Sequence, residues 1–78
     1  MKILSLIERM GKGHMQVRSF TIDVENRENE DKQVKAVENI FANVLRDNNV
    51  NADEIDAAIE DGFWSNNSDT YEAYLIWS

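Results

Sequence analysis

The chain has 78 residues, no cysteine, one histidine and a net charge of −7. That length supports a single domain over 1–78 with one small core, and the missing thiols exclude disulfides, cysteine nucleophiles and Cys-based zinc sites together. No apolar run reaches the ~20 residues needed to cross a bilayer, and no small-residue cleavage site follows the short apolar start, so the expected setting is cytoplasmic, with no membrane contact.

Residues 2–10 place Ile3, Leu6, Ile7 and Met10 at helical spacing, with Glu8 and Arg9 on the other side, which predicts an N-terminal helix ended by Gly11 and Gly13. A strand is the rival reading, because Leu4 and Ser5 fit either period. Codons for Gly11-Lys12-Gly13 are necessarily purine-rich and resemble a ribosome-binding site ahead of Met15, so residues 1–14 are also readable as an optional extension. Phe20, Ile22 and Val24 alternate with Ser19, Thr21 and Asp23, the pattern of a half-buried strand over about 15–25. Asn26 to Glu30 reads as a polar turn.

Over 31–47, Val34, Val37, Ile40, Phe41, Val44 and Leu45 form one apolar stripe opposite Lys32, Lys35, Asn39 and Arg46, which predicts a helix ended at Asn48-Asn49. Asn51 with Glu54 three residues later marks the start of a second helix, about 52–61. Its inward residues are Ile55, Ala58 and Ile59, and Gly62 is its stop. Phe63-Trp64 forms a short strand, Ser65 to Asp69 a turn, and residues 70–77 a closing strand. The expected fold is α+β: a small single-layer antiparallel sheet (about 15–25, 63–64 and 70–77) packed by the two central helices, with the added N-terminal helix.

The closing strand is apolar on both faces, with Tyr71, Ala73, Leu75 and Trp77 on one and Tyr74 and Ile76 on the other. A sheet covered on one side shows polar residues on its second side. Either residues 2–10 cover that second face, or a second subunit does. A chain this small with no other reinforcement favours a homodimer through Tyr71, Tyr74, Leu75, Ile76 and Trp77.

Residues 1–46 hold all eight Lys and Arg, whereas residues 47–78 hold eight acids and no base. That second half repels a phosphate backbone and excludes direct nucleic-acid binding. Its acids gather on the second helix as Asp53, Glu54, Asp56, Glu60 and Asp61, without the mixed signs that stabilise ordinary surface helices. The competing reading is a solvated face that keeps the chain soluble. Trp64 joins these acids as a candidate partner contact, because Trp is enriched at binding hot spots; the alternative is an aromatic closing the core. Asp61, Ser65, Asn67, Asp69 and Glu72 fall at calcium-loop spacing, but Phe63 stands at the third position and Asn66 where glycine is needed, which argues against a metal.

Catalysis finds no support: His14 is a lone loop histidine, and no phosphate loop, nucleophile elbow or ligand cluster is present. The expected function is a non-enzymatic, cofactor-free, acidic protein-binding module that occupies a basic surface on a host protein. Nine asparagines point to an AT-rich coding sequence, and small size, strong acidity and no catalytic set suggest the sort of inhibitor that phages make against host defence systems. Two alternatives stand beside it: a DNA mimic competing with nucleic acid for a basic groove, and a structural or assembly subunit whose acidic surface is silent.

Overall fold

The computed structural model describes residues 1–66, 68 and 70–78. Six elements follow in the order β1 (Lys2–Met10), β2 (His14–Ile22), α1 (Arg27–Asp47), α2 (Ala52–Asp61), β3 (Phe63–Ser65) and β4 (Tyr71–Trp77). The strands form one open antiparallel sheet in the order β2-β1-β4-β3, and both helices pack on one side of it. The α+β class and the antiparallel sheet agree with the sequence reading.

The N-terminal segment does not. Residues 2–10 are a strand, paired along their whole length with β2 and over Leu4 to Met10 with β4. The apparent helical stripe mixes two strand faces. Leu4, Leu6, Glu8 and Met10 face the helices, whereas Ile3, Ser5, Ile7 and Arg9 face away. A strand that is central and apolar on both faces therefore imitates a helix in a short window. The tight hairpin that carries β1 into β2 needs the left-handed conformation at Gly11 (φ 60) and Gly13 (φ 83), which glycine adopts without steric cost. A chain beginning at Met15 would lack this central strand.

Two helix-flanking boundaries shift as well. β2 ends at Ile22, and Val24 packs against the smaller core cluster from beyond the strand. α1 begins at Arg27, inside the stretch expected to be a turn, because the Asn26 side chain accepts from the Asn29 N–H at 3.2 Å and caps the helix. Glu28 and Glu30 in its first turn complement the helix dipole. α2 keeps its expected bounds: the Asn51 side chain accepts from the Glu54 N–H at 2.9 Å, and Gly62 at φ 73 closes the helix.

The core lies between the helices and the inner sheet face. Leu6, Phe41, Leu45, Ile55, Tyr71 and Ala73 anchor the larger cluster, and Leu4, Ile22 and Val37 form a smaller one. Phe20 and Leu75 pack against both. The smallest extent of the molecule is 17 Å, the thickness of one helix layer on one sheet.

Candidate protein-binding surfaces

The strand register defines the outer face of the sheet row by row. Val17, Ile7, Tyr74 and Phe63 are cross-strand neighbours and form one apolar row across all four strands. The Phe63 and Tyr74 rings lie 6.4 Å apart at their centroids. The next row is Ser19, Ser5 and Ile76, with the two hydroxyls hydrogen-bonded to each other at 3.1 Å. Thr21 and Ile3 follow toward one end, and Met15, Arg9, Glu72 and Ser65 toward the other. Arg9 pairs with Glu72 at 3.5 Å. Neither helix covers this face: Val17 is 55% exposed, Ile76 49%, Phe63 47% and Ile3 42%. The expected cover from residues 2–10 is absent because those residues are part of the sheet.

This geometry divides the expected dimer residues. Tyr74 and Ile76 lie on the open face. Tyr71, Leu75 and Trp77 face the helix side instead, since residues two apart on a strand share a face. Tyr71 is buried in the core and Leu75 packs against it. Trp77 is half-exposed at the sheet end, beside a groove of ≈ 620 Å³ lined by Val34 and by charged residues of α1, among them Glu30, Asp31 and Lys35. Ile3, Ile7, Met15, Val17 and Phe63 complete the open face and were missed. Their signal was the apolar alternation in residues 3–7 and 15–17, which a helical reading of the first segment masked.

On the opposite side, Asp53, Glu54, Asp56, Glu60 and Asp61 are all exposed on α2, which carries no basic residue. Trp64 does not join them. It is half-buried and packs against the larger core cluster, its ring 6.1 Å from Tyr71. The core-closing alternative describes its position. Of the calcium-loop residues, Asn67 and Asp69 lie outside the described residues. Ser65 and Glu72 are paired neighbours in the sheet, and no cluster of three metal-ligating side chains occurs among the described residues. His14 is exposed where β2 begins.

One polar constellation inside the fold was also missed. Glu8 on β1 faces the helices at 6% exposure. The Tyr71 hydroxyl donates to one of its carboxylate oxygens at 2.9 Å, and Arg18 approaches the other at 3.5 Å. Burial raises the Tyr71 hydroxyl well above the ordinary phenol range, and its hydrogen bond to Glu8 raises it further. The phenol therefore stays a neutral donor, and the buried carboxylate is satisfied. The hydrogen bond ties β1 to β4.

Comparison with known proteins finds no matching family model, no matching curated protein and no matching solved structure. Among the described residues, no helix is long and apolar enough to cross a membrane.

Proposed function

We propose that this chain is a non-catalytic protein-binding module whose two sides make different contacts. The observation that carries this reading is the segregation of charge. The open sheet face holds one arginine and one glutamate, paired with each other, among apolar and small hydroxyl side chains. Every other charged residue among those described lies on the helix side, in the helices or in the connecting loops. A contiguous apolar face of this kind marks an interaction surface.

The helix side supports the narrower reading. Five exposed carboxylates on α2 with no intervening cation create a negative field. Such a field steers and accelerates encounter with a basic partner. The target is then a host protein with a basic surface, and the chain acts as an inhibitor by occupying it, in the manner of phage counter-defence proteins.

Affinity capture with three immobilised baits tests both surfaces: the wild type, Ile76→Asp, and the α2 variant with Asp53, Asp56, Glu60 and Asp61 changed to Lys. The expected result is a protein retained by the wild type and lost with the α2 variant, whose association slows as salt rises. Retention by all three baits alike would refute both surfaces. Added duplex DNA that displaces the target would convert the inhibitor reading into DNA mimicry.

A further inference from the structure

We infer that the open face of the sheet is closed by the same face of a second copy, giving a four-layer α/β/β/α dimer with both acidic helices outward. This rests on the reading of that face as a protein interface, and it names the occupant. The first argument is charge. Two chains of −7 repel across most of their surfaces, but the open face carries no net charge, because Arg9 and Glu72 offset each other. A basic partner finds no net charge complementary to it there, whereas a second copy presents a face of equally zero net charge.

Packing the two sheets puts each layer about 10 Å from the next, so the two α2 helices stand about 30 Å apart. That distance is several times the ~8 Å over which charges act at physiological salt. Association by this face therefore separates the acids that would oppose it.

The second argument is composition and size. Four polar side chains of the face are partnered within the chain, Ser5 with Ser19 and Arg9 with Glu72, which lowers the cost of burying them. Thr21, Ser65 and Tyr74 add hydroxyls that the second copy or interfacial water must satisfy. The thirteen residues of the four cross-strand rows cover about 400 Å² in projection. That is about half of the ~800 Å² of accessible surface each partner buries in a standard complex, the size of a modest interface. The row Val17–Ile7–Tyr74–Phe63 forms the centre of the contact, with its aromatic pair as anchor.

The test is light scattering on the purified chain between 10 and 100 μM, about the range where a modest interface saturates. The expected mass is twice 9.0 kDa. Ile76→Asp should give a folded chain of single mass, because the residue lies on the open face and not in the core. Val17→Asp on the exposed edge strand is the second variant and should behave alike. A wild-type monomer at 100 μM overturns the proposal, and so does a dimer that survives both substitutions in folded variants. Capture separates this failure from that of the broader reading. If the wild type is monomeric and Ile76→Asp still abolishes binding of a captured protein, self-association is wrong and the face serves a different protein.

Discussion

Tyr71→Phe isolates the tie between the central strand and its neighbour. The substitution removes one oxygen and keeps the ring that packs in the larger core cluster, so no cavity opens and the loss is confined to the hydrogen bond. Its acceptor is the 6%-exposed Glu8 carboxylate. The remaining partner, Arg18, lies 3.5 Å away with its side chain 48% exposed, so water screens much of its charge. A hydrogen bond to a charged group contributes about 1.5–3 kcal/mol, and leaving the carboxylate short of a donor keeps the loss in that range. For a domain of this length each kcal/mol shifts Tm by about 4–8 °C, so a loss near 2 kcal/mol lowers Tm by about 8–16 °C.

Thermal melts followed by circular dichroism at pH 7 measure the shift. Both proteins should be melted at equal concentration, because self-association makes Tm concentration-dependent. Urea titration should show a lower midpoint with an unchanged m-value. Alkaline pH supplies a second readout. The Tyr71 hydroxyl titrates above its unfolded value of 10.0 in the folded chain. Above that pH the unfolded state has lost a proton that the folded state still holds, so stability falls as pH rises. The slope from this group is at most ~1.4 kcal/mol per pH unit. Tyr71→Phe should lack that component. A variant that melts within about 2 °C of wild type and keeps the same alkaline slope would refute the network as a source of stability.

Deleting residues 1–13 removes the central strand with Leu4 and Leu6, both at or below 2% exposure, and the truncated chain should lose its cooperative melt; a cooperative transition would show that β2, β4 and the helices suffice. Asn51→Ala removes the cap of α2 and should lower stability by about 1 kcal/mol in urea titration without altering the mass in solution. Leu75→Asp and Ile76→Asp, adjacent on β4, should diverge: the first places a carboxylate against the core and unfolds the chain, whereas the second leaves it folded. Circular dichroism separates them, and equal behaviour would refute the assigned strand faces.

The helices were legible because their information is local. The stripe from Val34 to Leu45 repeats at the helical period, and Asn51, Glu54 and Gly62 mark the ends of α2 with chemistry that acts within one turn. The two-faced pattern of residues 71–77 was equally legible, and the structure sets one side, with Tyr71 and Leu75, against the core and leaves the other, with Tyr74 and Ile76, open. Which side meets the core, and which strands lie beside this one, was not local information. β4 is flanked by β1 and β3, pairings with partners more than sixty and at most eleven residues away, and nothing within residues 71–77 distinguishes them.

The first segment shows the same limit from the other direction. Ile3, Leu6, Ile7 and Met10 satisfy a helical wheel, and only the two long ladders that β1 forms resolve them into two faces. Once β1 is in the sheet, no segment among the described residues covers the outer side. Glu8 likewise reads as a solvent-facing residue until Tyr71, distant in sequence, supplies the donor that makes its burial tolerable. Composition and periodicity determined the class, the helices and the acidic side of α2. Strand pairing, a contact between distant residues, decided which apolar side chains form the core and which remain as an open face.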